Sequence, residues 1–436
     1  MKKILENVSK KITPSIKEKL ALDRALLEFE KKLKPKLNKY KAKLFVGGSL
    51  AKQTLIKRDT KYDIDIFILF NYKKYKDKSK ELSKFLESIL RSSKIKFVRL
   101  KGSRDYFQCK FNGLTLELIP ILKIRKASQA MNITDISPLH VTYILKQIRK
   151  NKKLANEIRL AKAFCYASDC YGAESYIRGF SGYVLEVLIS YYGSFLKFVK
   201  AASKWKVPTK TENGIVIDPK KYYKNKSQVF KELNEAKLKS PIILIDPVQK
   251  ERNAAAALSF KTFIKLIHEC EKFLKAPSES YFFKEAFDIN KWKKKAKKHK
   301  AEFVILKATS TKNKVDIAGA KLKKFYEFLF FLLNKNGFKI LNGFFKFEEK
   351  TLESKFYFIL KEPPKYYIVA GPPVDIDSKY IRSFKKKWFK AKVKKGRLYV
   401  KARRKISSVR ELIKTIGKSQ LKEMGIKEIK SIKSFV

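Results

Sequence analysis

Asp63-Ile64-Asp65 opens an otherwise apolar run, DIDIFILF, separated by thirteen residues from a Gly48-Ser49 pair. Residues two apart on a β-strand point to one face. The pattern therefore places two carboxylates side by side on a strand otherwise built for a core. Like charges that close repel unless a cation lies between them, and Mg²⁺ suits hard oxygen ligands. Leu44–Val46 reads as the preceding strand, and Ser49 sits where a short helix starts, whose amides suit a phosphate. Either half alone, a Gly-Ser turn or a solvated Asp-x-Asp, is commonplace. In strand–turn–helix–strand order they point to nucleotide chemistry.

The charge balance narrows the partner. Lys and Arg number 102 against 41 acids, a formal +61 over 436 residues. AT-rich coding inflates Lys, Ile, Asn, Phe and Tyr together, but it would raise Glu as well, and acids are scarce. A polyanionic partner accounts for the excess. An apolar content of 44% is ample for buried cores and excludes a disordered tail protein. The four cysteines (Cys109, Cys165, Cys170, Cys270) match neither a disulfide framework nor a zinc knuckle. The N-terminus lacks a signal-peptide core, and the longest apolar segment, Ser181–Val199, is broken by Glu186 and Lys197. The expectation is a cytoplasmic protein with no membrane span.

Pattern reading divides the chain three ways. Residues 1–135 combine a basic helix from Pro14 to Leu37, the Gly-Ser/Asp-x-Asp unit, a helix over Lys76–Arg91, and strands at Lys94–Leu100, Asp105–Phe111 and Leu114–Leu122. Asn112-Gly113 reads as a hairpin turn between the last two. Residues 136–257 are helical at first, with Ser181 as an N-cap, and irregular from Thr209 to Pro247. Residues 258–436 open with a helix over Phe260–Leu274. They continue with a strand at Glu302–Lys307, a helix over Ala318–Asn334 and a hairpin through Phe338–Leu360. Further strands follow at Tyr366–Ala370 and Leu398–Ala402, and a last helix at Val409–Ile416. His140, His268 and His299 are too scattered for a metal site or triad, and His268 reads as helix packing.

The central segment carries longer signatures. Tyr171-Gly172-Ala173-Glu174, Arg178-Gly179-Phe180-Ser181-Gly182-Tyr183, Tyr192-Gly193-Ser194-Phe195, Trp205, Asp246-Pro247-Val248 and Arg252-Asn253 together resemble the archaeal (class I) CCA-adding tRNA nucleotidyltransferase family. The resemblance spans essentially the whole chain, strongly from about residue 40 to 275 and by architecture afterwards. It implies an α+β multidomain protein with a polymerase-β-like nucleotidyltransferase head, a helical neck, and an α+β RNA-binding body and tail. The implied activity is template-independent addition of C, C and A to the 3′ end of tRNA from CTP and ATP.

Carried over by position, the resemblance makes Asp63 and Asp65 catalytic metal ligands and sets Gly48 and Ser49 against the triphosphate. Lys162 and Tyr171 become phosphate or sugar contacts, and Arg252 a base reader. Glu117, in the strand Leu114–Pro120, stands where the family usually has Asp, and it completes the Mg²⁺ set at one methylene's extra reach. The implied mechanism is two-metal phosphoryl transfer, with the ions roughly 3.5–4 Å apart. A family histidine is replaced near Arg104, so no role is carried over there.

The residues themselves leave blander readings open. Glu117 suits a strand-edge acid opposite a lysine, Lys162 a solvated helix lysine, Tyr171 a core or capping aromatic, and Arg252 a salt bridge to Glu251 or another acid. Arg178, before Gly179, reads as a structural turn or a backbone contact to tRNA rather than a catalytic residue. Basic clusters at Lys293–Lys300, Lys385–Lys387 beside Trp388 and Phe389, and Lys401–Lys405 fit a phosphate-backbone surface. A poly(A)-type nucleotidyltransferase and a non-catalytic RNA-binding protein with a decayed head stay as alternatives. The oligomeric state is open, a homodimer included.

Overall fold

The computed structural model describes residues 1–57, 62–209, 214–376 and 378–435, with the side chains of Asp63 and residues 432–435 outside the described set. The chain forms two compact units, Met1–Glu285 and Ala286–Val436.

The first unit begins with helices α1 (Lys2–Ile12) and α2 (Ile16–Lys39). Ser15 caps α2 by accepting from the Glu18 amide, and the Glu18 carboxylate returns a bond to the Ser15 amide at 2.7 Å. This reciprocal box satisfies two amides that a helix start otherwise leaves open. Next come β1 (Ala42–Val46), α3 (Gly48–Ala51), β2 (Asp63–Asn71), α4 (Tyr72–Tyr75), α5 (Leu82–Ser92), β3 (Phe97–Leu100), β4 (Tyr106–Phe111) and β5 (Leu114–Lys123). The strands form one sheet in the order β1-β2-β5-β4-β3. The β2–β5 pairing is parallel and the others are antiparallel.

Ile64, Ile66, Ile68 and Phe70 of β2 and Leu116, Leu118 and Leu122 of β5 share a core with Leu22, Leu26 and Phe29 of α2 and Leu86, Ile89 and Leu90 of α5. Fully burying side chains of this size contributes roughly 1.5–3 kcal/mol each, so the register of β2 and β5 is firmly set. Asp65 and Phe67 of β2 and Thr115, Glu117 and Ile119 of β5 consequently face away from these helices. At the β4–β5 hairpin, Asn112 and Gly113 have φ of 47° and 78°, as a type I′ turn requires.

Helices α6 (Ser137–Lys150), α7 (Leu154–Ala167), α8 (Gly182–Tyr192) and α9 (Phe195–Ala202) follow. A small sheet then joins β6 (Ile215–Ile217), β7 (Ile242–Asp246) and β8 (Gln249–Asn253), with short helices α10 (Lys226–Glu232) and α11 (Glu235–Leu238) in its connection. Helix α12 (Phe260–Lys275) closes the unit. Its Phe263, Leu266, Cys270 and Phe273 pack among Phe164, Phe195 and Phe198 of the central helices. This helix therefore shares the central core, past the boundary that the sequence places at residue 257. His268 is a correction: it is exposed on α12 and pairs with Glu271 at 3.3 Å, so it does not pack.

The second unit contains α13 (Ile289–Lys298), β9 (Glu302–Ser310), α14 (Val315–Lys335), β10 (Lys339–Glu348), β11 (Glu353–Lys361), β12 (Tyr366–Pro373), α15 (Ser378–Lys387), β13 (Lys392–Lys394), β14 (Arg397–Arg403), α16 (Val409–Lys414), α17 (Lys418–Glu423) and β15 (Ile426–Phe435). Its sheets run β10-β11-β9-β15 and β12-β14-β13. Leu322, Phe325, Tyr326 and Leu329 of α14 pack on Phe356 and Phe358 of β11. No helix among the described residues is long and apolar enough to cross a membrane.

Candidate active site

The acids come together through register. Asp65 pairs with Glu117, and Asp63 with Thr115, across β2 and β5. Parallel partners share a face, and neighbouring strands lie about 4.8 Å apart, so Asp65 and Glu117 project side by side from the sheet face opposite α2 and α5. Glu117 accepts a hydrogen bond from Gln108 Nε2 at 3.3 Å. The side chain of Asp63 lies outside the described residues.

The turn before α3 folds onto this face. Gly47 N donates to the Asp65 carbonyl at 2.8 Å. Gly48 has φ +60°, and a Cβ added there would sit 2.0 Å from Asp65 Oδ2. A Cβ at Gly47 would meet the Phe67 ring at 2.2 Å. Both glycines are needed: one for the left-handed backbone, both for close approach. The sequence singles out Gly48 and misses the steric role of Gly47. Ser49 lies one residue beyond the turn, and its carbonyl accepts from the Thr54 amide at 2.9 Å.

The segment after the turn hangs on the central helices. Lys162 of α7 is only 2% exposed, so it is not a solvated helix lysine. Its ammonium donates to Glu186 Oε1 at 2.8 Å and Thr54 Oγ1 at 2.9 Å. Glu186 of α8, 1% exposed, also receives Lys52 Nζ at 2.6 Å and Thr54 Oγ1 at 3.1 Å. Burial pushes the Glu186 carboxyl up, but Lys162 and Lys52 more than reverse this, leaving its pKa below the usual carboxylate value. Arg159 of α7 adds a bond to the Gln53 carbonyl. Thus Lys162 serves first to tie α7 to the segment behind Ser49. Lys52, Thr54 and Glu186 were not legible as a cluster. The one signal was Glu186 itself, a lone acid in an apolar helix.

Tyr171 lies near the start of α8: a Cβ at Gly182 would be 2.9 Å from its hydroxyl and 3.8 Å from Lys162 Nζ. Ser181 caps this helix by accepting from Val184 N, as its sequence position predicts. Arg178 takes φ 53° and its carbonyl accepts from Ser259 N, which fits the structural turn.

Arg252 of β8 pairs with Asp246, not Glu251. Its Nη1 lies 2.5 Å from Asp246 Oδ2, and its side chain is 30% exposed. Asp246 is completely buried. It also meets His140 Nε2 at 2.9 Å, the Tyr183 hydroxyl at 2.9 Å and the Val248 amide at 2.9 Å. Burial raises the Asp246 carboxyl and these partners, His140 and Arg252 foremost, bring it down to about 2. The His140 ring stacks on Tyr183 with centroids 4.1 Å apart. Arg104 is buried against Asp135, the Pro120 carbonyl and Ser79, near the end of β5.

Comparison with known proteins matches residues 156–283 to the family model "tRNA nucleotidyltransferase, second domain" and residues 302–434 to "CCA-adding enzyme, C-terminal domain". The CCA-adding enzyme of Pyrobaculum aerophilum is 31% identical over 319 residues, covering 72% of this chain and 69% of that protein. The chain belongs to the CCA-adding enzyme family. The counterpart from Pyrobaculum islandicum is 27% identical over 96% of this chain and 94% of its own. The counterpart from Nanoarchaeum equitans is 42% identical over 224 residues, 51% of this chain, and the match spans about half of that relative's length (53%). Among solved structures, the RNA terminal uridylyl transferase Cid1 superposes with a TM-score of 0.50 at 13% identity, over 65% of this chain and 98% of its own. That likeness shows the nucleotidyltransferase fold.

Family membership gives the site its frame. Helix α8 joins its two halves, because Glu186 binds Lys52 and Thr54 behind the Gly-Ser turn while Tyr183, one turn earlier on the helix, binds Asp246 beside Arg252. Side chains from α7 and α8 are thereby tied to Lys52, Gln53 and Thr54, more than a hundred residues earlier in the chain.

Proposed function

We propose that this chain adds C, C and A to the 3′ end of tRNA from CTP and ATP, with no nucleic-acid template. The observation that carries the reading is the register of Asp65 with Glu117 beneath the Gly48 turn, in a chain of this family. The 3′-oxygen of the terminal ribose forms a bond to the nucleotide α-phosphorus, the bond to the bridging oxygen breaks, and pyrophosphate leaves.

The donor set fits divalent cations: the in-register carboxylates of Asp65 and Glu117 offer only hard oxygens, and Asp63 is two residues earlier in the sequence. Asp63, Asp65 and Glu117 would hold the ions, with Mg²⁺ as the natural choice. When bound, such ions lower the pKa of a hydroxyl and neutralise charge on a departing pyrophosphate. The protein's own part is placement. The Gly48 turn approaches the Asp65 carboxylate closely, and Ser49, the next residue, would meet the triphosphate. Glu186 with Lys52 and Lys162 fixes the following segment. Tyr171, beside Gly182 at the start of α8, would meet the sugar or phosphates, and Arg252 offers a partly exposed guanidinium to the base.

The second unit supplies a basic face for tRNA. Phe389 and Tyr380 are exposed at 85% and 63%. Lys390 lies over Phe389 at 5.5 Å and Lys401 over Tyr366 at 5.0 Å. Exposed rings among lysines suit phosphates and unstacked bases together. A cytoplasmic location belongs to the same reading.

The test is incubation with tRNA lacking its 3′ end, Mg²⁺, and CTP and ATP singly and together. Ordered incorporation of C, C and A is expected. ATP-only tailing would establish a poly(A)-type enzyme, and binding without incorporation a decayed head.

A further inference from the structure

We infer that Asp246 is the positioning residue for nucleotide selection: its buried carboxylate fixes the guanidinium of Arg252 in the one orientation that reads the incoming base. The inference rests on the proposed contact between Arg252 and the base.

An arginine side chain on a strand has several rotatable bonds and, left to itself, sweeps a wide arc. Arg252 is held at one terminal nitrogen by Asp246 Oδ2 at 2.5 Å, while 30% of its side chain stays exposed. Because the guanidinium is planar, with five donors in a fixed fork and no acceptor, holding one nitrogen directs the others. The holder is itself rigid. Asp246 is completely buried and takes bonds from His140 on α6, Tyr183 on α8 and the Val248 amide, so both carboxylate oxygens are occupied. The His140 ring stacked on Tyr183 braces two of those donors against each other.

An aimed, donor-only group has chemical consequences. On the pairing edge, C and A present an unprotonated ring nitrogen beside an amino group. U and G present a ring N–H there instead. A fixed guanidinium donor matches the first pair and clashes with the second, whereas one free to swing finds the carbonyl of U or G and discriminates poorly. A site built to hydrogen-bond one edge rejects the wrong edge only while its geometry is held.

The experiment measures single-nucleotide addition to tRNA lacking its 3′ end, as kcat/KM for CTP and for UTP, in the full-length protein. Asp246→Asn is expected to cut the CTP-over-UTP ratio about tenfold or more, with tRNA affinity unchanged. Arg252→Ala should cut it at least as far. The double variant should add little beyond Arg252→Ala, as expected for residues acting as one unit. A purely structural role for Asp246 would lower both nucleotides equally and leave the ratio alone. An Asp246→Asn ratio within about twofold of wild type, beside a collapsed Arg252→Ala ratio, overturns the inference. A ratio preserved in Arg252→Ala overturns the base-reading role itself, and the inference with it. Should Asp246→Asn fail to fold, Tyr183→Phe removes one support without changing charge. It is expected to lower the ratio about threefold, and an unchanged ratio refutes the inference.

Discussion

Asp65 and Glu117 are Cα partners across the parallel pairing of β2 with β5, so their carboxylates leave the sheet side by side. Glu117 also accepts a hydrogen bond from Gln108 Nε2 at 3.3 Å. Removing its charge with the shape kept, in Glu117→Gln, should lower kcat about a hundredfold or more. Glu117→Asp should retain most activity, because the strand position is right for either acid. Steady-state kinetics on tRNA ending before its final A decides it, and an active Glu117→Gln would remove this residue from the chemistry.

Gly48 cannot be replaced without moving Asp65. Gly48→Ala would force a side chain into a left-handed backbone and within 2.0 Å of Asp65 Oδ2. The turn is short and near the surface, so thermal stability should fall by only about 1–2 kcal/mol. Nucleotide addition should fall far more, and parallel melting and activity measurements on one preparation separate the two effects.

Glu186 is the counter-charge for two buried lysines, at 2.6 and 2.8 Å. Glu186→Gln leaves Lys52 and Lys162 without it, and breaking a buried pair in this way costs roughly 3–5 kcal/mol. The first transition in urea should shift to lower concentration. Because the folded carboxyl titrates below its usual range, its contribution is present above the unfolded-state pKa and is lost as pH falls through the folded value.

Asp246 gives the same sign with a defined window. Its folded pKa is about 2 against an ordinary 3.8, so at 1.36 kcal/mol per unit it contributes about 2 kcal/mol. That stability is complete above pH 3.8 and disappears as pH falls toward 2. Asp246→Asn should be less stable at pH 6 and should lose less of what remains on acidification. Chemical denaturation at pH 6 and pH 3 measures both.

Affinity for tRNA should be strongly ionic. With 102 basic against 41 acidic residues, binding should weaken at least roughly tenfold between 50 and 200 mM salt. A binding constant indifferent to salt would contradict the polyanion reading.

The legible parts of this molecule are those where local pattern and burial agree. The alternation of Ile64, Ile66 and Ile68 with Asp63, Asp65 and Phe67 specifies a strand with one chemical face, and the Asn112-Gly113 turn and Ser181 cap are written in single residues. Helix α1 was missed because VSKKI, with only Val8 and Ile12 buried, looks like a solvated basic tail. The terminal strand β15 was missed because its partner β9 lies more than a hundred residues earlier. Lys162 looked like any surface lysine, since its partners Glu186 and Thr54 are brought together by tertiary packing. Arg252 was rightly weighed against an ion pair, but spacing could not show that the acid is Asp246, six residues back, across a hairpin rather than next door.

The most direct measurement is the rate of CTP addition by Asp65→Asn beside its affinity for tRNA lacking the 3′ end. Addition should fall at least about a thousandfold while the dissociation constant stays within about twofold of wild type. An Asp65→Asn protein that adds nucleotides at more than about a tenth of the wild-type rate would show that the carboxylate pair on β2 and β5 is not the catalytic centre.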